Sequence, residues 1–334
     1  MKSMLKKFKK KQSDKGKIEN SLPTNDTLED HRRHILKTGK KHSRPLTDTQ
    51  QKIVITSTII AILTLFFTIW LYLNAVYSQV NTSGLVQSVS QIIPTPVLKV
   101  NDSYVYYDEL LFQFNTAQNV AQNENRELEE ELALSSASNK VIEAQVIEQI
   151  ANEQELTVSD AEIEEGIAEP IILAGGDETF DATILDIYGW SRDDFKREFK
   201  LQLLKSRVVT NELYEFSQQV DSSNFATLAN NLGLTPSSVA DIESDDTSAE
   251  LVAVTQSLTP DNSVDTIIYG ETGVYIVMQE SEASYQYVYQ TYEEIEAFIQ
   301  ERTSQAELQS CINHNKLPLE GVNKKSVLSC IFSR

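Results

Sequence analysis

The chain offers few groups with which to do chemistry. It has four histidines, His31, His34, His42 and His314, and two cysteines, Cys311 and Cys330. A Ser-His or Cys-His catalytic pair needs a histidine beside the nucleophile it activates. The first three histidines lie in a polar N-terminal stretch without metal-ligand spacing. His314 follows Cys311 in CINH and, with Cys330, could supply three metal ligands, but a fourth is not evident. No nucleophile stands near His314. The sequence has no P-loop, no G-x-G-x-x-G after a strand, no G-x-S-x-G and no H-E-x-x-H. The carboxylates at 127–131 read as a solvated helical face. Neither a metal nor a cofactor is expected. One further residue is singled out by position. ETGVYIVMQES, residues 271–281, reads as a strand whose Val274, Ile276 and Met278 face a core, and Tyr275 stands at its centre.

These residues hang on a chain of two unlike parts. Residues 1–52 carry 15 of its 29 Lys and Arg but only 6 of its 49 Asp and Glu, leaving 14 basic and 43 acidic residues for the remainder. A basic head before an acidic body is not the pattern of one soluble globule. Between Lys52 and Lys99 no residue is charged. Ile53 to Leu73 is apolar all round, with the roughly 20 residues that a helix needs to cross hydrocarbon. Trp70, Tyr72 and Tyr77 suit an aromatic belt at its far end. The long basic lead and the length of the apolar run favour an uncleaved anchor over a cleaved signal peptide. Lys40, Lys41, Arg44 and Lys52 precede the span closely, and no basic residue follows it until Lys99. The N-terminus is therefore expected in the cytoplasm and the body outside, in a single-pass cell-membrane protein.

The expected order is a basic, disordered tail at 1–52, an anchor at 53–77 and a polar linker at 78–96. The run MKSMLKKFKKKQSDKGK reads first as a solvated tail that sets topology and second as a contact with anionic lipid. Nucleic-acid binding comes third, and no nucleic-acid partner is expected. In an oxidising compartment the two cysteines are expected to form one disulfide, stabilising the fold by roughly 3 kcal/mol in the loop-entropy account.

The body reads as helices with a few strands. VLKVNDSYVYY, 97–107, reads as a strand pair turning at Asn101-Asp102. Asp108 is expected to cap a helix over 108–122 with Leu110, Phe114, Ala117 and Ala121 on one face. A second helix spans 137–153, with Ile142, Val146 and Ile150 at helical spacing. Ser159 with Glu162 forms a capping box, and Ser191 with Asp194 suggests another after a break at Gly189-Trp190. A long helix over 192–215 carries Phe195, Phe199 and Leu203 as its stripe. A last helix, 292–310, sets Ile295, Phe298 and Ile299 on one face.

VLKVNDSYVYYDELLFQFN, ANEQELTVSDAEIEEGI and YGWSRDDFKREFKLQLLKSRVV together resemble the N-terminal chaperone domain of SurA- and PrsA-type extracytoplasmic foldases. The resemblance covers roughly residues 95–215. It implies a mainly α fold: a helical chaperone domain at 97–215, a small α+β parvulin-like domain at 216–288, and a returning helix with a disulfide-closed tail at 289–334. NFATLANNLGL and residues 250–281 are similar to parts of a parvulin domain. Active parvulins carry a histidine in the first strand and another in the last, with an Asp or Cys between them. Tyr275 stands at the last-strand position, and Asp241, Asp245 and Asp246 read as loop residues. The resemblance thus implies a shortened, catalytically inactive parvulin-like domain, no catalytic residues, and a membrane-anchored chaperone for unfolded or newly secreted polypeptides. Its cradle would be lined by Leu110, Phe114, Ile142, Val146, Phe195, Phe199, Leu203 and Phe298, and a homodimer is compatible with it. An active prolyl isomerase of the same architecture and an envelope scaffold for one folded partner are the alternatives.

Overall fold

The computed structural model describes residues 25–42, 48–240, 249–256, 264, 267–281, 284–312 and 323–324. The chain divides into two units, 1–68 and 69–334. In the first, the tail expected to be disordered carries a helix, α1 (Asn25–His42). Helix α2 (Asp48–Asn74) follows. With the π-turn that extends it, the helix runs from Asp48 to Gln79, long and apolar enough to cross a membrane, and its apolar window buries nothing.

In the second unit the end of α2 is built into the body. The π-turn Ala75–Gln79 buries Val76 and Tyr77, and Val80 after it is 1 % exposed. Val80 holds φ at 50°, a left-handed conformation that costs a β-branched residue about 1 kcal/mol or more, here offset by burial. Tyr72 Oη and Thr95 Oγ1 share a 2.8 Å hydrogen bond, and Tyr77 Oη donates to the Pro96 carbonyl at 3.0 Å. The expected linker is therefore packed structure. It contains a short helix, α3 (Gly84–Ser90), that packs on the next helix of the body.

Strands β1 (Pro96–Val100) and β2 (Ser103–Tyr106) pair antiparallel. Asn101, φ 53°, makes the left-handed turn between them, a conformation asparagine tolerates. Helix α4 (Tyr107–Asn123) starts earlier than expected: Tyr106 is its N-cap, so Asp108 lies in the first turn and caps nothing. It packs on α5 (Glu130–Glu153). The glutamates at 130–131 open α5, so this helix starts well before 137. Leu110, Leu111 and Phe114 meet Val141, Ile142, Val146, Ile147 and Ile150 in one core.

Helix α6 (Asp160–Leu173) carries the expected capping box: Glu162 N donates to Ser159 Oγ, and Ser159 N donates back to Glu162 Oε2. Helix α7 (Asp177–Tyr188) stops at Gly189, φ 74°. A Cβ there would lie 2.1 Å from Asn119 Nδ2, whose amide donates to the Tyr188 carbonyl at 3.1 Å. Helix α8 (Arg192–Arg207) has its Ser191/Asp194 box but ends eight residues early. Val208-Val209-Thr210 is extended, because β-branched residues restrict helical χ1 and the Thr210 hydroxyl caps a new helix, α9 (Asn211–Gln219). Gln154 fixes the break, donating to the Val209 carbonyl at 2.8 Å and accepting from its amide at 3.2 Å.

A small α+β body follows: α10 (Phe225–Asn231), β3 (Ser237–Val239), α11 (Ala249–Gln256), β4 (Ile268–Tyr269), β5 (Gly273–Gln279) and β6 (Tyr285–Thr291). Its antiparallel sheet has the order β3-β6-β5-β4. β5 is buried on both faces. Val274, Ile276 and Met278 join the main core, while Tyr275 and Val277 face Leu251, Val254 and Tyr285.

The chain then returns. Thr291 and Glu294 form a capping box on α12 (Tyr292–Gln305), whose Ile295 and Ile299 are buried against the main core. α12 ends at Gln305 rather than 310, because Leu308–Ser310 forms a strand, β7, antiparallel to β1. Asn101 pins its approach: the Asn101 amide donates to the Glu307 carbonyl, and the Glu307 amide to Asn101 Oδ1, both at 2.9 Å. Asn323–Lys324 adds a short parallel strand to β7. One cation ties three helices: Lys205 of α8 meets Glu143 of α5 at 2.6 Å and Glu296 of α12 at 2.7 Å. At the top of the small body, Gln290 Nε2 donates to Thr210 Oγ1 at 2.5 Å.

Candidate functional site

The expected cradle residues divide by burial. Leu110, Phe114, Ile142 and Val146 are at most 6 % exposed. They pack within the main core and hold the helices together. Phe195, Phe199, Leu203 and Phe298 are only partly buried at the core margin. Phe195 packs edge-on against Phe180 with ring centres 5.0 Å apart.

An open groove of about 460 Å³ lies nearby, between α3, the start of α4, the end of α7 and α8. Its size is within the usual range for a ligand cleft. Gly189 ends α7 and swings Trp190 into it. The indole stacks on Tyr188, centres 4.6 Å apart, and on Phe112, 5.8 Å apart. Its Nε1 donates to Thr116 Oγ1 at 2.7 Å, so the ring presents a fixed apolar face. The Arg197 guanidinium lies 3.9 Å over Phe112.

The rim is acidic, with Asp108, Glu109 and Asp194. Burial pushes the Glu109 carboxyl up to about 7, and the charge of Glu148 adds to the effect. Burial also raises the Glu148 carboxyl. Asp108 Oδ1 is buried with no hydrogen-bond partner among the described residues. The groove thus combines an aromatic wall with an acidic rim, an arrangement suited to binding. Sequence reasoning missed Phe112 and Arg197 and treated Trp190 only as a helix break. The available signal was aromatic: Phe112 lies off the Leu110–Phe114 stripe, where a helix facing water would carry a polar residue.

The Tyr275 site is of another kind. The side chain is 5 % exposed and lies between Tyr289, 4.5 Å away, and Tyr287, 6.2 Å away. Burial raises its phenol above the ordinary range. Around it, Thr272 Oγ1 donates to Glu250 Oε2 at 2.7 Å and shares a hydrogen bond with Tyr289 Oη at 2.8 Å. Closed over by rings, Tyr275 fills a small core. Among the described residues no group of His, Cys, Asp and Glu is arranged to hold a metal ion. Cys311 is buried at 4 % exposure. Cys330, His314, Asp241, Asp245 and Asp246 lie outside the described residues.

Residues 46–209 match the family described as the SurA-like N-terminal domain. No curated protein matches the chain.

Proposed function

Residues 46–209 match the family of SurA-like N-terminal domains, and from that premise we propose that the chain is a membrane-anchored chaperone for unfolded or newly secreted polypeptides. The groove walled by Phe112, Tyr188 and Trp190 carries this reading. A segment of unfolded chain offers aromatic and aliphatic side chains for the wall. Helix Asp48–Asn74 is the anchor, with the N-terminus in the cytoplasm by its flanking charges. The body then lies in an oxidising compartment, where Cys311 and Cys330 close a disulfide.

Residues 216–288 are the shortened parvulin-like part, and they are catalytically inactive. This rests on Tyr275, packed among rings at the position where an isomerase of this family would present a histidine to the prolyl amide. The test uses full-length protein in nanodiscs with reduced, denatured lysozyme as client. Near-equimolar protein is expected to delay aggregation, and Trp190→Ala to weaken that effect by about ten-fold, the loss of one aromatic anchor. Proline-limited refolding of ribonuclease T1 is expected to be unaccelerated. Wild-type protein that leaves aggregation unchanged would overturn the chaperone reading, and acceleration at catalytic amounts would overturn the inactive one.

A further inference from the structure

Four large apolar side chains stand in water beside the end of α2. In and just after α3, Leu85 is 83 % exposed, Val89 37 %, Ile92 81 % and Ile93 50 %. The helical hydrogen bonds continue past Ser90, with the Ile93 amide donating to the Val89 carbonyl at 2.9 Å. Positions 85, 89, 92 and 93 therefore share one face of the helix. The adjoining side already has its partners: Ser90 is 1 % exposed and Val86 packs on the core. α3 thus carries apolar groups on two sides, only one of which the body covers. Soluble surfaces rarely leave such a patch open without a partner.

The height of this face is set by hydrogen bonds. Tyr72 is the last aromatic residue of the run Ile53–Leu73, which is about one bilayer core in length. It donates to Thr95 Oγ1 at 2.8 Å, and Thr95 Oγ1 donates in turn to the Ile93 carbonyl at 2.9 Å. Two hydrogen bonds thus hold Ile93 at the level of Tyr72. The segment is also free of charge: in a chain that is 23 % charged, no Asp, Glu, Lys or Arg occurs between Lys52 and Lys99. No charged side chain of this stretch would have to leave water if the face entered the lipid interface.

We propose that the Leu85/Val89/Ile92/Ile93 face is a second membrane contact, lying in the outer leaflet's interface and holding the body down on the bilayer that its own anchor crosses. The proposal rests on the reading of Ile53–Leu73 as a membrane anchor. An interfacial helix gains by burying such a face at the boundary of headgroups and acyl chains. The opposite edge of α3 supplies Gln87 and Gln91 to the aromatic groove. Docking by the apolar face therefore sets the groove close to the membrane surface.

The test is photo-crosslinking of the full chain in phosphatidylcholine vesicles. p-Benzoylphenylalanine replaces Ile92, Phe66 in the span, or Leu173, which is 78 % exposed at the end of α6. Lipid adducts are expected at Phe66 and Ile92, with the yield at Ile92 about ten-fold above Leu173. Lipid at Phe66 with none at Ile92 would overturn the docking while sparing the anchor. So would an adduct from Ile92 to a second chain, or equal lipid labelling at Leu173. Absence of lipid at both Phe66 and Ile92 would overturn the anchor, and the docking with it. A second variant guards against chance proximity. With the probe at Leu85, Ile92→Asp with Ile93→Asp is expected to cut the lipid adduct about ten-fold, because the interface rejects carboxylates. An unchanged Leu85 adduct would overturn the proposal.

Discussion

Replacing Glu109 by Gln should make the protein more stable at pH 8 and change little at pH 5. The Glu109 carboxyl stands at the rim of the aromatic groove and is held up to about 7 by burial, against an ordinary value of 4.5. Glu148, Asp108 and Glu198 add repulsion, and Arg197 opposes it. Glu109 therefore binds its proton more tightly in the folded protein than in the unfolded chain. Stability from this group is fully present below about 4.5 and is lost as pH rises toward 7. Each pH unit in that window is worth about 1.4 kcal/mol, so the full loss is about 3 kcal/mol, an upper bound because the residue is only partly buried. Glutamine keeps the shape and hydrogen-bonding capacity and never ionises. The assay is thermal unfolding of the full chain in detergent, followed by tryptophan fluorescence from pH 5 to pH 8. The wild-type Tm should fall with rising pH more steeply than that of Glu109→Gln. Parallel curves for the two proteins would refute the reasoning, since no differential proton would then be bound at Glu109.

Two further outcomes follow from ties between distant parts of the chain. Lys205→Met removes the cation shared by Glu143 and Glu296, leaving two carboxylates facing each other. A loss of about 1–3 kcal/mol is expected, read as faster hydrogen exchange across Tyr292–Gln305 than in the wild type. Cys311→Ser should lower stability by roughly 3 kcal/mol if Cys330 is its partner. Non-reducing mass spectrometry of wild-type peptides should show the 311–330 cross-link, and a free thiol at Cys330 would refute the pairing.

The parts of this fold that were legible in the sequence are those determined by neighbours within a few residues. The boxes at Ser159/Glu162 and Ser191/Asp194 are local hydrogen-bond patterns, and both are present. The apolar length of Ile53–Leu73 is a matter of composition. The break at Gly189 needs only a left-handed residue. What was missed depends on partners far along the chain. Leu308–Ser310 has no strand alternation of its own and becomes a strand because β1 offers an edge. The helix expected over 192–215 stops at Arg207 because Gln154, more than 50 residues earlier, takes both backbone groups of Val209. In the candidate site, Leu110, Phe114, Ile142 and Val146 were read from apolar spacing. Spacing finds a buried stripe and says nothing of which apolar residues stay open. Phe112 and Trp190 meet only in three dimensions, across the turn at Gly189.

The contact between Gln290 and Thr210 has a consequence for how this chain could be rebuilt. Helix α9 and the α+β body together leave the rest of the chain after Thr210 and come back at Gln290, and a hydrogen bond joins the two positions. The body is thus a cassette whose two ends meet at one point. A segment of this kind can be traded for a different one without rerouting the surrounding chain, provided the replacement fills the main core as Val274, Ile276 and Met278 do. Recombination at these two positions is a route by which relatives with the same helical part could come to carry different inserts.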